Sequence, residues 1–164
     1  VAAGWRDPHG SEALRNLAPP FRHAPEQSDG LDPSALPNPE LNASSGIIAS
    51  AVDLANYSIA LDDERILPAA LREQMWTPPR DDDGQMAHYA YGWWVQQWQG
   101  HRMVWHGGWW PDAYAGLLLK LPDDDWTLVA LGNTDGLHWG NPINRARVHE
   151  APVAKLFLET FIEP

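Results

Sequence analysis

His106, Gly107 and Gly108 stand together at the end of an apolar run, and their types could do chemistry. An imidazole changes charge near neutral pH, so it can meet an anion or hand a proton to a leaving group. Glycine beside it removes the Cβ that would hold a ligand's backbone away, most usefully at Gly108. Read alone, Gly-Gly is also an ordinary turn signal. The elements that carry the triplet decide between the two.

No other residues complete a catalytic set. The seven serines (Ser11, Ser28, Ser34, Ser44, Ser45, Ser50 and Ser58) include none with Lys three positions on, and the only lysines are Lys120 and Lys155. A G-x-S-x-G elbow, a P-loop and a dinucleotide fingerprint are all absent. There is no cysteine. Disulfides and thiolate chemistry are excluded, and zinc could use only His and carboxylates. Seven histidines occur without H-E-x-x-H. His101 and His106, five apart on a strand, point to opposite faces. The expectation is no metal site and no cofactor.

The bulk numbers narrow the class. A chain of 164 residues has the length of one domain with a real core. Ten tryptophans, several on predicted strands, indicate an aromatic-rich core or a lined cleft. A net charge of -11 repels phosphate backbones and anionic lipid, so neither nucleic acid nor membrane is an expected partner. No apolar run reaches membrane-span length, and no signal peptide is legible. The chain opens Val-Ala-Ala-Gly-Trp rather than with Met. A processed form or a fragment is therefore expected.

The elements follow from pattern. Pro8, Pro19, Pro20, Pro25, Pro33, Pro37 and Pro39 crowd the first 45 residues and predict a mostly irregular segment. Ser50 as N-cap, with Asp53 reaching back, predicts a helix to about Leu61 whose Val52, Ala55 and Ile59 share one face. A second short helix starts at Pro68, ends near Trp76 and is stopped by Thr77-Pro78-Pro79. Residues 91–133 then read as strands: YGWWVQQW, HRMVWHGG, AYAGLLLKLP, a DDD turn and WTLVALGN. Alternation places Arg102, Val104 and His106 on one face and His101, Met103 and Trp105 on the other. The almost continuously apolar GLLLKL suits a strand covered on both faces. Pro152 opens a last helix whose Val153, Leu156, Phe157 and Phe161 should pack on the sheet. The fold class is α+β, an antiparallel meander with flanking helices. Residues 1–76 form an irregular segment with helices, and residues 77–164 carry the strands and the last helix.

These pieces, in this order, resemble the serine β-lactamase and penicillin-binding protein superfamily. The similarity is to its class C β-lactamase, D-aminopeptidase and esterase-like branch. Tyr91-Gly92-Trp93-Trp94 resembles the strand before the family's third motif. His106-Gly107-Gly108 matches that motif in its H-x-G form. Pro111-Asp112-Ala113-Tyr114 resembles the following turn, and Leu121-Pro122 and Leu131-Gly132-Asn133 the later strands. Upstream, the stretch from Asn42 to Ala55 is similar to the family's entry into a helix, and Ala3-Gly4-Trp5 resembles an earlier segment.

The resemblance implies the C-terminal portion of a β-lactamase/transpeptidase-like fold. It implies that the nucleophilic S-x-x-K and a Tyr motif precede Val1. By this match His106 positions a substrate carboxylate or assists proton movement. The backbone N–H of Trp109 supplies one donor of an oxyanion hole, and Gly107, Gly108, Trp110 and Asp112 border the substrate. Here Asp112 and Ala115 stand where the family usually has Gly and Ser. The parent activity implied is acyl transfer to water from amide, ester or D-amino-acid peptide substrates, in a periplasmic or extracytoplasmic setting. The family's first strand pairs with the strand matched by Trp126–Asn133. Its absence leaves an edge for a homodimer or a complementary N-terminal chain. Two alternatives stay open: a non-enzymatic module with a Trp-lined groove for peptide or cell-wall ligands, and a different hydrolase pairing His106 with a carboxylate such as Asp112.

Overall fold

The computed structural model describes residues 4–5, 16–24, 30–36, 47–140 and 143–162. Strands β1 (Gly4–Trp5), β2 (Phe21–His23), β3 (Leu31–Pro33) and β4 (Ile47–Ile48) precede helices α1 (Ala51–Asp62) and α2 (Ala69–Met75). Four longer strands follow: β5 (Trp94–Trp98), β6 (His101–Trp110), β7 (Tyr114–Leu121) and β8 (Trp126–Gly132). Helix α3 (Pro152–Phe161) comes last. The fold is α+β.

The long strands form one antiparallel sheet in the order β5-β6-β7-β8. Turn chemistry sets this meander. Gln99 and Gly100 both have positive φ, 48° and 94°, the backbone a two-residue hairpin loop needs. Asp112 and Asp125 take φ of 57° and 59° in the next two turns, and acidic side chains tolerate that region better than most.

Both faces of the sheet are covered, and alternation sorts the side chains between them. Met103 and Trp105 of β6 join Leu117, Leu119 and Leu121 of β7 in a core closed by Ala154, Phe157 and Leu158 of α3. Val104 and Leu118 face the other way, with Leu61 of α1, Trp76 and Val95. The double-sided reading of GLLLKL therefore holds. Its one polar member, Lys120, is 1% exposed. The Nζ donates to Asp62 Oδ2 at 2.8 Å, to Thr127 Oγ1 at 3.2 Å and to Ser58 Oγ. That network ties α1 to β7 and β8.

Helix α1 starts as expected. Ser50 Oγ accepts from the Asp53 N–H at 3.1 Å, and the Asp53 carboxylate accepts from the Ser50 N–H at 2.9 Å. Its buried face differs from the expected one. Val52 and Ile59 are 68% and 49% exposed, whereas Ser58 and Leu61 are buried. The Lys120 ammonium requires polar partners, so α1 turns Ser58 inward and sets the half-exposed Asp62 carboxylate against the ammonium, and its apolar periodicity yields. Helix α3 corrects its stripe in a milder way. Phe157 is buried, joined by Ala154 and Leu158, while Leu156 and Phe161 remain more than half exposed. Phe161 packs instead on Trp126, ring centroids 5.4 Å apart.

The proline-rich start holds two small ladders. Strands β2 and β3 pair antiparallel, and so do β1 and β4. Pro33 is tolerated because β3 has a single partner. The Phe21 N–H donates to the Asn133 carbonyl at 2.7 Å and Asn133 Nδ2 to the Pro19 carbonyl at 2.8 Å, which seats this segment at the end of β8. Pro8, Pro25, Pro37 and Pro39, Ala3, and the Asn42–Gly46 part of the helix entry lie outside the described residues.

Candidate active-site edge

Strand β6 is longer than its neighbour β5, and this difference makes the site. The β5–β6 register runs from Trp98 opposite His101 to Trp94 opposite Trp105 and stops. On the other side, pairing with β7 continues to Trp110 opposite Tyr114. Residues 106–110 therefore have a strand neighbour on one side only, among the described residues. Such an edge offers unpaired backbone donors and acceptors. It spans about 13 Å at the usual rise per residue, room for a short extended peptide.

The chain before β5 leaves the sheet by a tight reversal. Gly92 has a φ of 83°, a left-handed conformation that glycine adopts at no steric cost. Around it the Ala90 N–H donates to the Trp93 carbonyl at 2.8 Å and the Gly92 N–H to the Ala90 carbonyl at 2.7 Å. This turn brings Tyr89 back alongside Trp94, within reach of His106.

His106 lies on the open part of β6 with an exposed edge. Tyr89 Oη is 3.0 Å from its Nε2. Burial of the rest of the ring pushes its pKa below the ordinary value, and the Gly107 backbone opposes that shift as an acceptor. The imidazole is therefore neutral at neutral pH. Its hydrogen-bond partner is a phenol, so the alternative that paired His106 with a carboxylate such as Asp112 is not the contact the structure brings together.

The two glycines differ. A Cβ on Gly107 would strike the Ile143 side chain, with Cγ1 at 2.6 Å, whereas a Cβ on Gly108 meets nothing within 4 Å among the described residues beyond its chain neighbours. Gly108 thus opens onto free space beside His106, and Gly107 serves packing on the opposite face.

Trp109 is 53% exposed. Its ring stacks on His138 at 5.2 Å, on the face away from His106. Burial lowers the His138 pKa, opposed by the Gly108 backbone and the Asp135 charge. Trp110 is half-buried at the strand's end. Asp112 has φ of 57°, a left-handed conformation that glycine and short acidic side chains adopt most readily. Its N–H donates to Asp135 Oδ2 at 3.3 Å, and Trp139 Nε1 donates to Asp135 Oδ1 at 2.9 Å. Asp135 thereby fastens the β6–β7 turn to the 3₁₀ turn Gly136–His138.

Tyr89, Asp135, His138 and Ile143 were not among the expected site residues. They reach β6 and the turn after it from 17 to 38 positions away by tertiary packing, and no local spacing marks them. Tyr89, together with Gln74, Thr77, Pro78, Pro79 and Tyr91, also lines an open cavity of about 490 Å³ between α2 and the β5 turn.

Comparison with known proteins identifies the fold and the family. The penicillin binding protein from Bacillus halodurans superposes with a TM-score of 0.62 at 17% identity, covering 81% of this chain and 40% of that one. Penicillin-binding protein 4* of Bacillus subtilis (strain 168) is 30% identical over 84 residues, 51% of this chain and 18% of its own length. The chain therefore matches well under half the length of either relative. The Beta-lactamase family model matches residues 3–152. This chain belongs to the Beta-lactamase family, and its fold is of the serine-hydrolase type that family shares with penicillin-binding proteins.

Proposed function

We propose that this chain forms the strand side of a serine acyl-transfer site, with the attacking hydroxyl supplied by polypeptide outside these 164 residues. The unpaired edge 106–110 carries the reading. A peptide-like substrate adds to it as an extra strand, as in other edge-binding proteins. Gly108 leaves it room, and an N–H in this stretch, by family match that of Trp109, supplies one oxyanion donor. The substrate class is an amide, ester or D-amino-acid peptide. The chain alone is inactive, since no S-x-x-K occurs in it. The outer edge of β8 takes a second copy or a complementary chain. An extracytoplasmic location goes with this reading.

Two measurements test it. After incubation with benzylpenicillin or an activated ester, mass spectrometry finds no acyl adduct on any serine of this chain. An adduct overturns the external nucleophile. In NMR, a short N-acetyl peptide ending in D-alanine amide shifts the amides of residues 106–110. Shifts confined elsewhere, or none, overturn the edge as the substrate site.

A further inference from the structure

We propose that Tyr89 is the positioning residue of His106, its hydroxyl donating to Nε2 and holding the imidazole as the Nδ1–H tautomer. In a neutral imidazole one nitrogen donates and the other accepts. Which one carries the proton is set by the hydrogen bond the other makes. Here the Tyr89 hydroxyl lies 3.0 Å from Nε2. A phenol hydroxyl is a far stronger acid than a neutral imidazole N–H, and a bare imidazole nitrogen is a better acceptor than a phenol oxygen, so the phenol donates and the ring proton falls on Nδ1.

Tyr89 is itself held for this task. It pairs with Trp94 in an antiparallel bridge. Its ring meets Trp94 edge-on at 5.0 Å and His106 at 6.1 Å. The Val95 N–H donates to the His88 carbonyl at 2.9 Å, fixing the backbone one residue before it. The phenol thus approaches the imidazole from a segment pinned on both sides.

The consequence deepens the acyl-transfer reading and rests on it. The pair presents no fixed cation to the cleft, and Asp112 and Asp135 carry negative charge near the same end of β6. A substrate terminus bearing a carboxylate meets these like charges, and the Tyr89–His106 pair supplies no fixed cation to offset them. The fitting substrate class is an uncharged ester or amide.

Long-range ¹H–¹⁵N correlation on the histidine-labelled chain reads the tautomer above the imidazole titration range, with His106→Gln assigning the signal. The wild type shows predominantly Nδ1–H. Tyr89→Phe removes one oxygen and lowers the Nδ1–H to Nε2–H ratio about fivefold, equivalent to the ~1 kcal/mol net worth of a hydrogen bond. A wild type that is predominantly Nε2–H overturns the proposal even if the variant does not fold. So does an unchanged ratio in a folded variant. In the same spectrometer, an N-acetyl dipeptide amide shifts the amides of residues 106–110 at lower concentration than its free acid. The reverse order overturns the substrate class. Silence from both ligands sinks the acyl-transfer reading, while the tautomer still decides the role of Tyr89.

Discussion

The Ile143 side chain fills the space where a side chain on Gly107 would begin. The Ile143 carbonyl also accepts from Trp105 Nε1 at 2.8 Å. One residue from the loop before α3 thereby closes the face of β6 opposite His106. Gly107→Ala forces that contact apart and costs about 1–3 kcal/mol, the usual range for overpacking. The check is the urea midpoint at unchanged m-value. Combining it with Ile143→Ala costs less than the sum of the two changes, because the clash vanishes with the side chain. A Gly107→Ala chain as stable as the wild type contradicts this packing.

Lys120 gives a second stability prediction. Its ammonium is buried among Asp62, Ser58 and Thr127. Removing its charged partner leaves a buried cation short of compensation, which costs about 3–5 kcal/mol in such settings. Asp62→Ala is therefore strongly destabilising. Lys120→Met deletes the charge while keeping an apolar stem, and Ser58 and Thr127 can still bond each other across 3.1 Å. It costs less than Asp62→Ala. Thermal melts rank the two variants, and the opposite order refutes the account.

Acid sensitivity follows from the two imidazoles at the edge. Burial lowers the pKa of both His106 and His138 below the ordinary 6.5. The unfolded chain therefore binds more protons than the folded one as pH drops through that value. Their contribution to stability is complete above the ordinary imidazole range and is lost as pH falls toward the folded-state values. His106→Gln or His138→Gln flattens this slope. A wild-type denaturation midpoint that rises on acidification between about pH 7 and pH 5 would refute the assignment.

The β8 edge makes a further prediction. Among the described residues it pairs with β7 alone from Trp126 to Gly132, and Leu131 is 46% exposed. A charge on an exposed edge blocks strand addition. Leu131→Lys therefore reduces self-association seen by sedimentation. Equal association of the variant and the wild type removes this edge as the contact.

The strands were legible because their pattern is strong. Alternation in HRMVWHGG and the glycine- and aspartate-marked turns locate β5 to β8 and their antiparallel order. Ser50 and Asp53 announce the start of α1 through a local side-chain bond. The buried face of α1 was not legible, since it depends on Lys120, which is 58 positions from Asp62. The site was readable by half. His106 and Gly108 carry a motif, but Gly107 and Gly108 look alike until Ile143 tells them apart. Tyr89 and His138 meet β6 only through the reversal at Gly92 and the turn fastened by Asp135. No sequence period records such meetings.

Gly108→Val addresses the central claim most directly. Among the described residues beyond its chain neighbours, nothing lies within 4 Å of a Cβ at this position, so the variant keeps its stability to within about 0.5 kcal/mol. NMR titration with the peptide that shifts residues 106–110 in the wild type decides the matter. The account predicts a folded variant whose edge no longer responds to the ligand. A folded variant that binds as the wild type does contradicts it, because the space beside the imidazole would then not be where substrate lies.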